Sequence, residues 1–405
     1  MKRGSILILS PWPSIFSMAG GGTPRGLDLV RTMLDSGYSI DYVAPRGDGA
    51  PWIPSHEHLR VHRFGPLRLR AGGFFGHVLS WLERTLRLIG RGLLVALRHG
   101  RPEVVYAWSS LAVPAGLVCS RLLRRPAIGA LFGTFLYPHL GSLRGRLNHF
   151  EEVVAFKSPV DRLLIVNDGT RGNDVAHALG VPDARVRFWM HGLDLDACAE
   201  AMEADGRAEL GLPANAPLVV WASRHVPWKR VDRLLRAAPG VSARYPDTVF
   251  AVSGSGPERA ALEGLARELG VERSFRFLGG LARDLNLRLI ASADVFCALY
   301  DYSCVGVALL EALGCAVPVV VADTGATRDF VEDGANGFVV GADDTPATAD
   351  AIGRLLDDAE LRRRLGNEAR RRAEERFLTA AQRAELELET IAELAQRGRP
   401  NRGRE

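Results

Sequence analysis

The sequence predicts an α/β protein built from two doubly wound domains that face each other across a cleft. Short apolar runs alternate with helical stretches along the chain, the alternation occurs as two series, and apolar runs are missing from residues 192–217 between them. Strands that alternate with helices form βαβ units, whose parallel sheet is covered on both faces. The length of 405 residues suits two or three domains, at roughly 100–200 residues each.

Each half of the chain supplies one series of predicted strands. Seven fall at 5–10, 38–44, 59–64, 103–107, 127–131, 162–167 and 186–190, and six at 218–222, 248–253, 274–278, 294–299, 317–321 and 337–340. We therefore place an N-terminal domain at 1–190, a C-terminal domain at 191–376, and a helix with a polar end at 377–405 that packs back on the N-terminal domain. Ligands of doubly wound sheets bind at the carboxyl ends of the strands, so one site is expected in the cleft.

The composition excludes several classes of protein. With 47% hydrophobic and 24% charged residues, the chain is neither disordered nor fibrous. No uncharged apolar run approaches the roughly 18–20 residues of a spanning helix, and the first run is interpreted as a strand rather than a signal peptide. Five cysteines at irregular spacing predict reduced thiols in a cytoplasmic protein, with no disulfide framework or metal site.

Charge is unevenly distributed along the chain. Residues 1–188 hold 24 basic against 13 acidic residues, whereas residues 189–405 hold 27 against 34. The first half is therefore expected to meet an anionic membrane surface or an acidic substrate. Nucleic acid is not expected, because the sequence has no recognition motif for it.

Two glycine-rich turns follow predicted strands. Gly20, Gly21 and Gly22 precede a predicted helix, where the backbone can approach a ligand and the helix N-terminus favours anions. A plain flexible turn also explains them. Gly254 and Gly256 form a second strand-to-helix turn, which packing alone would equally require.

Two cations follow the first strand of the second domain. Arg224 offers a planar fork of donors and Lys229 a compact charge, a combination that suits a diphosphate. Only three lysines occur beside 48 arginines, so a lysine kept at this position indicates function. The alternative is a solvated loop cation.

The most informative block spans residues 301–321. A loop containing Asp301 and Ser303 leads to a helix that begins near Gly306 and Val307, whose N–H groups can hold a phosphate or a sugar hydroxyl. Glu311 lies one turn into this otherwise apolar helix, where a carboxylate is costly unless it is hydrogen-bonded. Ribose hydroxyls would satisfy it, and so would a structural arginine.

In this order and context, the motifs resemble the GT-B glycosyltransferases, specifically the large retaining family numbered four (glycosyl transferases group 1). The resemblance covers most of the chain and is densest in residues 218–377. It implies two Rossmann-like domains and transfer of a sugar from a nucleoside diphosphate sugar, with UDP or GDP as the nucleotide and no metal or other cofactor.

The resemblance also implies roles for individual residues. Arg224 and Lys229 would stabilise the leaving diphosphate, and Glu311 would hold the ribose. The other expected donor contacts are Gly306, Val307, Ser303, Phe277, Leu278 and Gly254, and Gly20–Gly22 match the family's glycine loop in the cleft.

The chain departs from the family pattern in two places. The Glu-x7-Glu pattern puts a second glutamate, which contacts the donor sugar, where this chain has Ser303, and Asp301 offers a carboxylate from a shifted position. A histidine that often follows a first-domain strand is missing near Phe132, and His139 is its nearest substitute on the acceptor or sugar side.

Residues 78–98 predict an amphipathic helix. One face holds Leu82, Leu86, Ile89, Leu93 and Leu97, and the opposite face holds Arg84, Arg87, Arg91 and Arg98. Either the leucines pack on the sheet and the arginines are solvated, or residues 68–98 lie peripherally on an anionic membrane.

The leading hypothesis is a retaining glycosyltransferase that modifies a glycan or lipid-linked acceptor in cell-surface polysaccharide or glycolipid synthesis. Its expected location is the cytoplasm or the inner face of the membrane. Two alternatives share the architecture, namely a sugar-nucleotide epimerase and a nucleotide-sugar-binding scaffold that has lost transfer. The scaffold is supported only by Ser303 and Phe132.

Overall fold

The computed structural model describes residues 4–12, 24–46, 56–65 and 73–397. The glycines of the first turn, Gly20, Gly21 and Gly22, lie outside these residues, as do Arg68 and Arg70. Within them, none of the helices is long and apolar enough to cross a membrane.

The described residues form thirteen strands, and every one overlaps a predicted strand. They are β1 (Ser5–Leu9), β2 (Ser39–Pro45), β3 (Leu59–Phe64), β4 (Val104–Trp108), β5 (Ala127–Leu131), β6 (Arg162–Val166), β7 (Val186–Trp189), β8 (Leu218–Ala222), β9 (Val249–Ser253), β10 (Phe275–Gly279), β11 (Val295–Ala298), β12 (Val319–Ala322) and β13 (Gly337–Val340).

Fifteen α-helices cover these strands in the described residues. They are α1 (Pro24–Asp35), α2 (Gly73–His99), α3 (Val113–Leu123), α4 (Leu143–Asn148), α5 (Phe150–Lys157), α6 (Gly172–Ala178), α7 (Leu195–Glu203), α8 (Gly206–Glu209), α9 (Val231–Ser242), α10 (Arg259–Glu268), α11 (Arg283–Ala291), α12 (Val307–Gly314), α13 (Thr345–Asp357), α14 (Ala359–Arg376) and α15 (Ala380–Arg397).

The strands form two wholly parallel sheets, one in each half of the chain. The first has the order β3-β2-β1-β4-β5-β6-β7, and the second has the order β10-β9-β8-β11-β12-β13. In both, the chain starts in the middle, winds to one edge and then returns to wind to the other, which is the doubly wound arrangement that the sequence predicts.

Strand alternation gives the first sheet two buried faces. Leu7 and Leu9 point to the side that α2 and α3 cover, and Ile6 and Ile8 point to the side that α1 and α15 cover. The second sheet shares one large core with the helices around it. The C-terminal helix α15 therefore follows the second domain in the chain but packs on the first.

The face on which α2 packs differs from the prediction. Its buried residues are Gly76, Thr85, Leu88, Gly92, Val95 and Ala96, whereas Leu82, Leu86 and Leu97 are 42%, 66% and 81% exposed. The expectation that these three leucines pack on the sheet is wrong, although Ile89 and Leu93 do pack against the core. The reason is close approach, because a Cβ on Gly92 would lie 3.1 Å from Leu9 and 3.2 Å from Cys119.

Candidate active site

The loop after β8 carries the two predicted phosphate-binding cations. Lys229 lies with its Nζ 3.6 Å from the ring centroid of Tyr300, and Arg224 lies over the ring of Trp228. Burial, together with the neighbouring charge of Arg224, lowers the pKa of Lys229 to about 8. A desolvated ammonium of this kind gains strongly from an anion placed beside it.

The glycine turn after β9 supports that loop. His225 N donates to Ser255 O at 2.9 Å, and Ser223 N donates to Ser253 O at 3.1 Å. Gly254 has φ +123°, and a Cβ there would lie 1.8 Å from Ser223 O. Only glycine allows this approach, so the turn fixes the segment that presents Arg224.

The N-terminus of α12 lies next to Lys229. Gly306 is the N-cap and Val307 the first helical residue, so the first N–H groups of α12 have no acceptor within the helix. The Cys304 thiol lies close enough to Lys229 to affect its pKa. Glu311 is buried one turn further on, in an apolar helix. Lys229 therefore lies close both to the positive charge of Arg224 and to the segment that leads into α12.

The predicted nucleobase segment occupies β10. Phe277 is half-buried under the Arg259 guanidinium, whose carbon lies 4.8 Å from the ring centroid. Arg259 also donates through Nη2 to Phe277 O at 3.0 Å, and Leu278 is half-buried beside it. This segment adjoins the glycine turn, because Gly254 N donates to Gly279 O at 2.7 Å.

The contact between the two domains includes first-domain residues that the motifs did not indicate. The Phe135 ring, in the first domain, lies 5.5 Å from Trp228 and 4.8 Å from Tyr302 in the second. Ser303 Oγ donates to Asp168 O at 2.8 Å across the same boundary. Sequence spacing carries no signal for such pairs, because it does not show which loops of two separate domains come together.

Glu152 holds the first-domain side of this contact. Its carboxylate accepts from Thr134 Oγ1, from Phe135 N at 3.1 Å and from Leu136 N at 3.2 Å. Burial raises the pKa of Glu152, and these hydrogen bonds oppose the rise. The loop that presents Phe135 is therefore fixed by a buried carboxylate.

Two further candidates from the sequence, Asp301 and His139, have partners within the protein. Asp301 Oδ1 lies 3.0 Å from Arg230 and 2.9 Å from Arg233, so its carboxylate belongs to an ion-pair network. The His139 ring stacks on His149 with centroids 5.0 Å apart. In the His139 segment it is Phe135 that contacts the second domain. The sugar contacts expected of Asp301 and His139 stay predictions.

A potential metal-ligand group lies away from these loops. Among the described residues, Asp41, His62 and His99 are the three groups close enough to hold one ion. However, Asp41 already accepts two hydrogen bonds from Arg60 at 2.8 Å and one from His62. This cluster is an ion pair between β2 and β3 rather than a metal site.

Two parallel α/β domains, with paired cations and a helix N-terminus near their boundary, form the arrangement that the sequence resemblance implies. These features are those of a glycosyltransferase of the GT-B architecture. Among family models, "Glycosyl transferases group 1" matches residues 203–372. The chain belongs to this family and is a glycosyltransferase, because two glycosyltransferases that are 32% identical also match 68% and 77% of it.

Similar proteins extend the match over most of the chain. An alpha-D-kanosaminyltransferase of Streptomyces kanamyceticus is 32% identical, over 77% of this chain and 83% of that protein. A GDP-mannose-dependent alpha-(1-6)-phosphatidylinositol monomannoside mannosyltransferase of Mycolicibacterium smegmatis is also 32% identical, over 68% of this chain and 71% of that protein.

Solved structures are similar in fold. Sucrose-phosphate synthase from Thermosynechococcus elongatus has a TM-score of 0.77 at 20% identity, covering 96% of this chain and 100% of that chain. Anabaena HepE in complex with UDP and glucose has a TM-score of 0.72 at 20% identity, covering 97% and 100%.

Proposed function

We propose that this chain transfers a sugar from a UDP- or GDP-linked donor to a glycan or lipid-linked acceptor, with retention of the anomeric configuration. One observation carries the donor half of the proposal: Arg224 and desolvated Lys229 lie beside the N-terminus of α12. Retention is supported by family membership. Two relatives have alpha-linked transfer in their names, and common glucosyl and mannosyl donors are themselves alpha-linked.

The reaction these residues support is mainly electrostatic. As the bond between the sugar and the diphosphate breaks, negative charge grows on the leaving phosphate. Arg224, Lys229 and the free N–H groups of α12 are fixed in advance around that charge, so they stabilise the transition state more than the ground state. Because these groups supply positive charge themselves, we propose that transfer needs no metal ion. Glu311 would hold the ribose hydroxyls.

Thermal unfolding tests the donor site. Purified protein is heated with UDP, GDP, ADP and their common sugar conjugates, with and without EDTA. A nucleotide at 100 times its dissociation constant stabilises by about 2.7 kcal/mol. We expect nucleotides of one base to raise the unfolding temperature, with or without EDTA. The Arg224→Ala and Glu311→Ala variants should lose this increase.

The matched control is Arg244→Ala, which removes a surface arginine paired with Asp357 in the same domain. It should leave the nucleotide shift unchanged. If no nucleotide stabilises the wild-type protein, or if the control loses the shift as Arg224→Ala does, the proposed donor site is wrong.

The first domain, where we expect the acceptor to bind, carries an exposed surface that suits an anionic lipid membrane. Exposed apolar residues recur along α2 at the spacing of one helical face, at Phe75, Leu79, Leu82 and Leu86. Next to this helix, whose Phe74 contacts Phe150, α4 exposes Leu143 and Leu147 together with Arg144 and Arg146. The basic first half of the chain complements anionic headgroups. We propose that this surface binds the inner face of the membrane and that the enzyme works in the cytoplasm.

A further inference from the structure

The carboxylate of Asp168 is a charged group in the cleft for which diphosphate binding gives no role. It follows β6, and the main chain at this point contacts two loops of the second domain, the one before α12 and the one after β12. Ser303 Oγ donates to Asp168 O at 2.8 Å, and Ala326 N donates to Gly169 O at 2.8 Å. Gly169 has φ +74°, and a Cβ there would lie 2.2 Å from Ser303 Oγ. The second domain therefore fixes where this first-domain carboxylate stands.

One oxygen of the carboxylate is held and the other is open. Thr170 donates to Asp168 Oδ1 through N at 3.2 Å and through Oγ1 at 2.6 Å, and Thr170 Oγ1 itself accepts from Thr134 N. Gly133 leaves room on the other side, because a Cβ there would lie 2.2 Å from Oδ2. Within the part of the chain that the structure describes, no other residue donates a hydrogen bond to Oδ2. It is an oriented acceptor without a partner on another residue.

Asp168 shares its part of the cleft with Lys229. Burial raises the pKa of Asp168, and the charge of Lys229 opposes that rise. A carboxylate beside the phosphate-binding lysine cannot itself bind phosphate, because the two anions repel. It suits hydroxyl groups, which donate strong hydrogen bonds to an ionised oxygen. In a nucleotide sugar, such hydroxyls lie immediately beyond the terminal phosphate.

We propose that Asp168 Oδ2 accepts a hydrogen bond from a hydroxyl of the transferred sugar, which makes Asp168 a specificity-determining residue of the donor site. In this chain, Ser303 of the second domain then holds the Asp168 main chain. The carboxylate that recognises the sugar comes from the first domain. This inference rests on the proposed nucleotide-sugar donor.

Calorimetry with matched ligand pairs tests the contact without an acceptor. Dissociation constants are measured for UDP against UDP-glucose, UDP-galactose and UDP-N-acetylglucosamine, and for GDP against GDP-mannose. We expect the wild-type protein to bind one sugar nucleotide more tightly than its bare nucleotide. Asp168→Asn should lower the affinity for that sugar nucleotide about 10-fold, as expected for a lost hydrogen bond to a charged group. It should bind the bare nucleotide as well as the wild type or slightly better, because a negative charge near Lys229 is gone.

Control variants separate the possible outcomes. Asp174→Asn alters a neighbouring carboxylate that pairs with Arg171 on the surface, and should change neither constant. If Asp168→Asn does not fold, Thr170→Val removes one donor that orients Oδ1 and should weaken only the sugar nucleotide.

Equal losses for the sugar nucleotide and the bare nucleotide would overturn the inference, as would a wild type with no preference for any sugar conjugate. Failure of every nucleotide to bind wild type would instead reject the proposed donor site, and this inference with it.

Discussion

Lys229 controls how donor binding depends on pH. Its pKa is about 8, lowered by burial and by Arg224, so the ligand-free protein loses this charge as the pH rises through 8. A diphosphate binds the charged form better. We therefore predict that nucleotide affinity is greatest below pH 8 and falls above it, by at most about tenfold per pH unit.

Calorimetry between pH 7 and pH 9 measures this dependence, with Lys229→Arg as the comparison. The guanidinium stays charged throughout the range, so the variant should show a flat profile even if its affinity at pH 7 is lower. A wild-type affinity that does not change between pH 7 and pH 9 would contradict the role given to Lys229.

At the scale of single residues, the sequence draws attention to the predicted donor-side groups more than to the groups that face them. Arg224, Lys229 and Glu311 stand out because each is unusual beside its chain neighbours, and the structure places the two cations beside the start of the Glu311 helix. Asp168 and Phe135 were missed, because their importance comes from contacts with Ser303, Trp228 and Tyr302 in the other domain. No local pattern encodes such contacts.

At the scale of elements, strands were predictable and the orientation of one helix was not. A buried parallel strand is apolar on both faces, so its position follows from composition alone. The buried face of α2 is built from small residues such as Gly92 and Ala96, and a hydrophobic pattern gives these little weight. The leucines that dominate the pattern therefore mark the exposed face instead.

That exposed face gives a prediction for α2. The double variant Leu82→Gln with Leu86→Gln should bind vesicles containing phosphatidylglycerol at least about 10-fold more weakly than wild type, because a leucine entering the bilayer contributes roughly 1.5 kcal/mol. Co-sedimentation measures it, with pure phosphatidylcholine vesicles as the uncharged comparison.

The control for this experiment is Met202→Gln on α7, which changes a residue of similar exposure, 46%, in the other domain. It should bind like the wild type. The membrane proposal fails if wild type does not sediment with the anionic vesicles, or if the leucine variant binds them equally well.

At the scale of the molecule, the chain passes between the two domains twice, and the two connecting segments are hydrogen-bonded to each other. Leu193 N donates to Leu378 O at 2.8 Å, and Ala380 N donates to Leu193 O at 3.0 Å. Beyond the second crossing, α15 returns to the first domain, where Glu387 accepts a hydrogen bond from Tyr106. Helix α15 thus completes one face of the hydrophobic core of the first domain.

This arrangement predicts that α15 stabilises the N-terminal domain without taking part in donor binding. Leu394 is fully buried in the core that α15 shares with β1 and β4. Leu394→Ala should lower the free energy of unfolding by about 2–4 kcal/mol, since it leaves a cavity. Leu143→Ala, at a position 76% exposed, should cost less than about 0.5 kcal/mol. Urea unfolding measures both, and calorimetry should find unchanged nucleotide affinity in each folded variant. The role proposed for α15 is wrong if Leu394→Ala unfolds at the same urea concentration as the wild type. It is also wrong if the folded variant no longer binds nucleotide.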